Sequence, residues 1–190
     1  MALKITGTPD HALVARVVAA ASEAQQRKGG HIGRTALQKM LYFLKASGVP
    51  TSYRFSIYHY GPFSEELYAD VDWLLADGVL IDMSENPTGQ SVYFPGPNIN
   101  ELLAQYSDRF DPFQGQIQEI AETLVPMSSS ELELTATLDY LYRKVTTSGG
   151  EAPWQDKVVE EFLAVKKDRF PEPKVSETYR ALVDAGVFMP

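Results

Sequence analysis

The sequence predicts a mainly α-helical α+β protein: a winged-helix-like first half with a β-hairpin wing, packed on a helical second half. Apolar residues recur every three or four positions along most of the 190-residue chain, as they do in amphipathic helices. An aromatic segment at 53–60 interrupts that spacing with the alternation of a strand. Pro-Gly-Pro at 95–97 then separates a hairpin from a purely helical remainder. We therefore predict units at 1–97 and 98–190 within one compact body.

Three helices are predicted in the first half. The first covers 9–26 and begins after Thr8, because Thr-Pro-Asp supplies an N-cap, a first-turn proline and an acid suited to the helix dipole. The second covers 34–46, with its leucines on one face. The third starts after Ser64, a good N-cap, and ends at Gly78.

A strand and a hairpin complete the first half. The aromatic strand is predicted to turn at Gly61-Pro62 and to lead into the third helix. The wing consists of two short strands at 79–83 and 91–94 around a turn at 86–89. Helix, strand, helix and hairpin in this order favour a winged-helix-type module.

The second half is predicted to be helical throughout. Its five helices fall at 99–107, 112–125, 129–145, 153–167 and 174–185. A weak internal echo aligns 73–80 with 181–188, since both segments carry a helix end followed by Gly-Val. Two interpretations stay open: a degenerate second winged-helix-like repeat without a wing, or coincidence between two helices that both end at glycine.

Composition limits the class of protein and of partner. The chain has no cysteine, which excludes disulfides, thiolate metal sites and a cysteine nucleophile. Its net charge of -8 disfavours a polyanionic partner. No apolar run reaches the roughly 20 residues that span a bilayer, and the amino terminus lacks a signal-peptide pattern. We expect a cytoplasmic protein with no membrane partner.

The third predicted helix is acidic and contains no Lys or Arg. Its carboxylates would repel phosphates, which argues against DNA reading by this helix. Glu66, Asp70, Trp73 and Asp77 fall on one side at helical spacing, which predicts a docking surface for a basic protein partner. The alternative is that Trp73 packs beneath the C-terminal helices.

Lys and Arg predominate in residues 1–50, whereas Asp and Glu predominate in residues 51–100. The candidates for nucleic-acid contact in the basic region are Arg27, Lys28, Arg34, Gln38 and Lys39. The alternatives are that this polar face is solvated, or that it neutralises the acidic third helix in the folded protein.

Hydrogen-bonding aromatic residues are concentrated at a corner formed by Tyr58, His59, Tyr60, Gly61 and Pro62. An imidazole close to acidic residues suits acid–base chemistry, so a hydrolase centred on His59 is one hypothesis. The alternative is a strand-end histidine satisfied by local hydrogen bonds. The histidines do not show metal-ligand spacing, and no nucleophile-elbow, phosphate-loop or zinc-protease motif occurs. We therefore predict no catalytic residue, metal site or cofactor.

Several segments resemble a known bacterial and phage-associated group. Residues 35–44, TALQKMLYFL, and residues 58–67, YHYGPFSEEL, are similar to a leucine-rich helix and a Tyr-Gly-Pro corner in YwgA-like uncharacterised proteins. Segments 131–140 and 179–187 continue the likeness. More distantly, the chain resembles the SocA/Panacea antitoxin domains. The resemblance implies a shared core fold, and the antitoxin likeness implies a protein that neutralises or delivers a toxin by direct contact.

The sequence therefore predicts a non-catalytic, cytoplasmic interaction or regulatory protein that acts on a protein partner. An antitoxin or phage-associated role is what the resemblance adds to that prediction. A winged-helix nucleic-acid-binding regulator that uses the basic amino-terminal region is the first alternative. A hydrolase-type enzyme around His59 is the second.

Overall fold

The computed structural model describes residues 6–30, 32–85, 90–149 and 152–189, so the predicted wing turn at 86–89 lies outside the described residues. Its helices are α1 (Pro9–Lys28), α2 (Arg34–Ala46), α3 (Glu65–Ala76), α4 (Ile99–Gln105), α5 (Ser107–Phe110), α6 (Gln114–Leu124), α7 (Ser129–Thr147), α8 (Gln155–Lys166) and α9 (Glu172–Asp184). Its strands are β1 (Ser56–Tyr58), β2 (Gly61–Phe63), β3 (Leu80–Asp82) and β4 (Tyr93–Pro95). The predicted α+β class with mainly helical content is confirmed.

The helices lie within a few residues of their predicted positions. The main difference is at 99–107, where one expected helix is divided into the short helices α4 and α5. A single 3-10 turn, Asp111–Phe113, then leads into α6. Within the described ranges, no helix combines the length and the apolar character needed to cross a membrane.

The chain forms two compact units that do not follow the predicted halves. The first unit contains residues 1–56 and 63–129, and the second contains residues 57–62 and 130–190. The predicted boundary at residue 97 therefore falls inside the first unit, because α4 and α6 pack against α1.

Helix α1 forms the centre of the first unit. The Thr8 hydroxyl accepts a hydrogen bond from the backbone N–H of His11 at 3.2 Å, which caps the helix as predicted. Leu13, Val14 and Val17 are almost fully buried, and α1 packs against α2, α4 and α6. Helix α1 is therefore the central element of the first unit, against which α2, α4 and α6 are positioned.

The β3–β4 hairpin is held by backbone pairing and by one carboxylate. Leu80 pairs with Pro95 and Asp82 with Tyr93 in antiparallel register. Burial raises the pKa of Asp82, but hydrogen bonds from backbone N–H groups, including that of Val92 at 2.9 Å, outweigh it and lower the pKa. The hairpin lies where the wing strands were predicted, whereas the winged-helix assignment itself stays a prediction.

The corner predicted at Gly61-Pro62 is built differently. β1 and β2 pair as a two-stranded sheet, and the turn between them is formed by His59 and Tyr60. Gly61 follows at φ 89°, a left-handed conformation that favours glycine, and then starts β2 together with Pro62. The prediction of a turn at Gly61-Pro62 is therefore wrong by two residues. The strand is also shorter than predicted, because Tyr53 is fixed by bonds to side chains instead of a neighbouring strand.

The second unit encloses an apolar core of its own. Leu138 and Leu141 of α7, Phe162 of α8, and Val175 and Tyr179 of α9 are all almost fully buried in it. Residues 57–62, which contain the β1–β2 turn, belong to this unit, although the helices on either side of them in sequence belong to the other.

The internal echo corresponds to the same helix ending in both places. The Val79 N–H donates to the Leu74 carbonyl, and the Val187 N–H donates to the Leu182 carbonyl, both at 2.9 Å. These are the bonds of a Schellman closure at the end of α3 and of α9. Helix-end chemistry is sufficient to account for the echo, and the proposed repeat stays a prediction.

Candidate functional site

Helix α3 is fixed in the first unit from its first residue onward. The Ser64 hydroxyl accepts a hydrogen bond from the N–H of Leu67, which caps the helix. Gln38 of α2 binds the Ser64 backbone on both sides, accepting its N–H at 2.9 Å and donating to its carbonyl at 3.0 Å. Leu67, Val71 and Leu74 form the buried stripe that was predicted. The remaining face of α3 is thereby held outward.

That outward face is a continuous stripe, which we call the α3 surface. Its exposed residues recur at the three- and four-residue spacing of one helix face, and they are Glu65, Tyr68, Ala69, Asp72, Trp73 and Ala76. Tyr68 is 44% exposed and Trp73 is 52% exposed. The centre of the stripe is thus aromatic and small-apolar, with carboxylates beside it.

Trp73 is not buried beneath other helices, so that alternative is wrong. Its ring stacks on the imidazole of His11 with 5.8 Å between ring centroids, and about half of the residue stays accessible. The His11 Nε2 lies 3.2 Å from a carboxylate oxygen of Asp70. The indole is therefore supported from one side and open on the other.

The predicted acidic stripe is rotated relative to the exposed one. Asp70 accepts a hydrogen bond from the Tyr53 hydroxyl at 2.8 Å and is only partly exposed. Glu66 is bound by the Ser64 hydroxyl and by Arg54 at 2.9 Å. These two carboxylates stabilise the first unit. Of the four predicted docking residues only Trp73 is well exposed, and Asp77 lies half-buried at the helix end.

The Glu66 carboxylate is strongly stabilised in its charged form. Its own backbone N–H in the first turn of α3, the Ser64 hydroxyl and the Arg54 guanidinium lower its pKa to about 2. Burial, and then the hydrogen bond to Asp70, raise the pKa of Tyr53 far above its usual range. Both groups therefore keep fixed protonation states across physiological pH.

One edge of the α3 surface is covered by Arg34 of α2. Its guanidinium lies 4.4 Å from the centroid of the Tyr68 ring and 2.9 Å from the Asp72 carboxylate. Arg34 thus orients one aromatic and neutralises one acid of the stripe. It acts here as a partner of α3, which is one of the alternatives that the sequence left open.

The residues predicted to contact nucleic acid do not form an exposed basic face. Gln38 is 5% exposed, so the expectation that it lies on a polar flank of α2 is wrong, and the basic candidate Lys39 is 2% exposed. Arg27 and Lys28 are exposed but lie 2.9 and 3.7 Å from carboxylate oxygens of Glu122. Basic charge in the first fifty residues is therefore neutralised mainly by α6 and, through Arg34, by α3.

The predicted aromatic corner lies in the second unit and is fixed by a buried cation. Lys166 donates to the His59 carbonyl at 2.7 Å and forms an ion pair with Glu133 at 2.9 Å. Burial lowers the pKa of Lys166, and the Glu133 carboxylate offsets this only in part. Arg169 also binds Glu133, at 2.8 Å, and lies over the Tyr60 ring. Sequence alone gave no signal for this network.

His59 lines an open groove, but the groove does not supply the chemistry of a hydrolase. Among the described residues that line it there is no carboxylate; its charged residues are Lys166, Lys167 and Arg169. The acid–base pair that the hydrolase hypothesis needs is therefore not brought together there. In the described parts of the chain, no group of three or more His, Cys, Asp or Glu side chains is arranged to hold a metal ion.

The sequence contained one unused signal for the α3 surface. The buried stripe of Leu67, Val71 and Leu74 fixes the rotation of the helix, so Tyr68, Asp72 and Ala76 follow as the opposite face. The predicted docking face was defined by its acidic residues and not as the face opposite the leucines, so it lies beside the exposed one. Tyr68 was missed for this reason.

Fold and surface together define a mainly helical α+β protein with an exposed aromatic helix face. Comparison with known proteins adds one relative: the chain is 30% identical over 112 residues to an uncharacterized protein, YwgA, of Bacillus subtilis (strain 168). The match covers 59% of this chain and 66% of that relative, just under two thirds of its length. No protein-family model matches the chain. The predicted YwgA-like resemblance is confirmed, whereas the link to SocA/Panacea antitoxin domains stays a prediction.

Proposed function

We propose that the chain is a non-catalytic interaction protein, acting in the cytoplasm, that binds a basic segment of a partner protein on the α3 surface. One observation carries the proposal: α3 exposes Tyr68 and Trp73 on a helix whose opposite stripe is buried. Tryptophan and tyrosine are among the residues that contribute most to protein interfaces. An aromatic face held outward by a rigid helix is therefore suited to docking.

Charge defines the chemistry of the proposed partner. Helix α3 contains no Lys or Arg, and three of its four acidic residues are already bound within the unit. The carboxylates left for a positive segment are therefore those at the two ends of the surface. Glu65 and the half-buried Asp77 lie near opposite ends of the surface, and neither side chain takes part in a hydrogen bond or ion pair among the described residues. A partner with Lys or Arg side chains on either side of an apolar residue would form ion pairs with both of these carboxylates.

The small residues favour close approach. Ala69 lies four residues before Trp73 and Ala76 three residues after it, so both exposed alanines flank the indole on the helix face. Side chains of this size leave room for the backbone of a helix or an extended segment next to the indole. An amphipathic basic helix with an apolar residue placed on Trp73 would meet all of these features.

The antitoxin resemblance is compatible with this proposal in one form. An antitoxin that neutralises its toxin by direct contact needs an exposed recognition surface and no reaction of its own. The relative's name carries no activity, so the identity of the partner has to come from experiment.

Site-directed photocrosslinking in the native host identifies the partner at the proposed surface. A photoreactive amino acid replaces Trp73 in one strain and Glu119, an exposed acid of α6, in a control strain. We expect one protein to be captured from position 73 and not from position 119. Equal capture at both positions would contradict a specific surface.

Affinity measurements with that purified partner then test the contact. Trp73→Ala should weaken binding about thirtyfold or more, as expected for an interface residue worth at least about 2 kcal/mol. Asp77→Lys should weaken binding in a salt-dependent manner, whereas the same charge reversal at Glu119 should not. Stability should be little changed in all three variants, because each side chain is at least partly exposed. Full affinity in folded Trp73→Ala would refute the proposal.

A further inference from the structure

The second unit contains a groove of about 570 Å³ that the proposed function does not use. Tyr58 of β1 and Tyr60 of the β1–β2 turn line it on one side. The end of α8 and the residues after it contribute Val165, Lys167 and Arg169. Pockets for small organic ligands have volumes of roughly 300–1,000 Å³. The groove is therefore of a size to take a ligand.

Its charge is opposite to that of the protein as a whole. The chain carries a net charge of -8, yet the described residues that line the groove include three cations and no carboxylate. Lys166 is committed to Glu133 and to backbone carbonyls of the turn. Arg169 also binds Glu133, through Nε and Nη2, but its side chain is 47% exposed, and Lys167 is exposed. These two cations therefore remain accessible. A local positive site in an acidic protein selects for an anion.

Lys167 is held in a conformation that would suit glycine. Its backbone has φ 49° and ψ -131°, and it is the one residue other than glycine with positive φ among the described residues. Such strain persists where the surroundings enforce it and is concentrated at functional sites. A lysine therefore occupies a position at the groove where glycine would be the more stable choice.

The aromatic residues give the groove a second property. Tyr58 and Tyr60 are 58% and 55% exposed, and the Arg169 guanidinium lies 5.0 Å from the centroid of the Tyr60 ring. Exposed tyrosines beside an arginine form a platform on which flat heteroaromatic rings stack. A ligand that combines such a ring with an anionic group would use both properties.

We propose that this groove binds a nucleoside phosphate, with the base stacked on the exposed tyrosines and the phosphate bound by Lys167 and Arg169. The phosphate is supplied either by a free mononucleotide or by a single-stranded nucleic acid. The proposal is independent of the α3 surface, because its residues are all in the second unit. It also replaces the predicted basic candidates, which the first unit largely neutralises, with a different cationic site.

Titration calorimetry of the full chain tests the combined recognition. AMP is the probe, with adenosine and inorganic phosphate as its two parts and a short single-stranded oligoadenylate as the polymeric source. We expect AMP to bind at least about tenfold more tightly than either part, since a charge-assisted phosphate contact and a stacking contact each contribute on that scale. Tighter binding of the oligoadenylate than of AMP would assign the phosphate to a nucleic-acid strand.

Two variants separate binding from folding. Lys167→Gly removes the cation and relieves the backbone, so it should raise the unfolding temperature while weakening AMP binding about tenfold. Lys157→Ala removes an exposed lysine of α8, the helix that precedes Lys167, and should leave binding unchanged. Tyr58→Leu should weaken AMP and leave the affinity for inorganic phosphate as it was.

Three results would overturn the proposal. The first is an absence of AMP and oligoadenylate binding at millimolar concentration to the folded chain. The second is AMP binding that Lys167→Gly leaves unchanged. The third is inorganic phosphate binding as tightly as AMP, since it would remove the role of the tyrosine platform.

Discussion

Removing the charge of the buried Glu133 should lower the stability of the second unit more than the same substitution at a surface carboxylate of that unit. The Glu133 and Lys166 side chains are 1% and 3% exposed and lie 2.9 Å apart, and Arg169 binds the same carboxylate. Glu133→Gln leaves the buried Lys166 cation without its counter-charge. Breaking one partner of a buried ion pair costs about 3–5 kcal/mol, which corresponds to roughly 6–20 °C for a chain of this size.

A matched surface pair isolates the effect of burial. Lys144 and Glu161 also belong to the second unit and lie 2.8 Å apart, but their side chains are 57% and 29% exposed. Glu161→Gln should therefore cost no more than about 1 kcal/mol. The comparison keeps the chemistry of the substitution and the separation of the charges nearly constant.

Fluorescence can follow the second unit alone. The chain has two tryptophans, of which Trp154 lies in the second unit and Trp73 in the first. Urea unfolding in a Trp73→Phe background then reports Trp154 and its edge-on contact with Tyr142. Equal midpoints for Glu133→Gln and Glu161→Gln would refute the assignment of a buried, stabilising network.

A double substitution tests how the network holds the turn. Glu133→Leu combined with Lys166→Met replaces the ion pair with apolar groups and should recover part of the lost stability. Recovery should stop short of the wild-type value by about 1–3 kcal/mol, because the His59 carbonyl loses its donor. Full recovery would show that this hydrogen bond contributes nothing.

Three further predictions concern the first unit. Gln38→Ala should cost about 1–3 kcal/mol in thermal unfolding, because it leaves the buried N–H of Ser64 unpaired and removes one of the two donors to the Ser64 carbonyl. The pKa of Glu66 is about 2 against an ordinary 4.5, so its carboxylate stabilises the fold fully above about pH 4.5 and loses that contribution as pH falls through 2. The difference in unfolding free energy between the wild type and Glu66→Gln should therefore shrink over that pH range. An NMR titration of the Glu66 carboxyl measures the pKa directly. Gly96→Ala should destabilise the fold strongly, because the added carbon meets the Gly78 carbonyl. Gly115→Ala in α6 has open space around it and should stabilise the fold by up to about 1 kcal/mol. The unfolding midpoints of the two variants test both predictions.

Local chemistry made the helices predictable from sequence. Thr8 and Ser64 are N-caps in the structure as expected, because the capping preference depends only on the next few residues. The endings at Gly78 and Gly186 follow from the same kind of local rule. These features need no knowledge of what the helix packs against.

Long-range contacts were not predictable in the same way. The partner of Lys166 is 33 positions away, and the carbonyl that it binds belongs to a turn more than 100 residues earlier in the chain. Periodicity predicts which face of a helix is buried but not which charge is buried with it. The burial of Gln38, on a helix flank that appeared polar, and of the neighbouring Lys39 has the same cause.

The docking role of Trp73 stays a prediction, and the structure adds that the residue is exposed. The sequence could not separate its alternative placements, because exposure depends on what covers the helix. The acids chosen with it, Glu66 and Asp70, bind Arg54 and Tyr53 within the unit. An acidic residue can be solvated or paired, and spacing alone does not distinguish the two.

The most direct test of the proposed function follows Trp73 itself during binding. In a Trp154→Phe background, Trp73 is the single fluorophore of its kind, and it starts about half exposed. On addition of the purified partner, we predict a blue shift of its emission and protection from acrylamide quenching, because the indole becomes buried at the interface. Stoichiometric binding with unchanged emission and unchanged quenching would contradict the claim that the partner docks on the α3 surface.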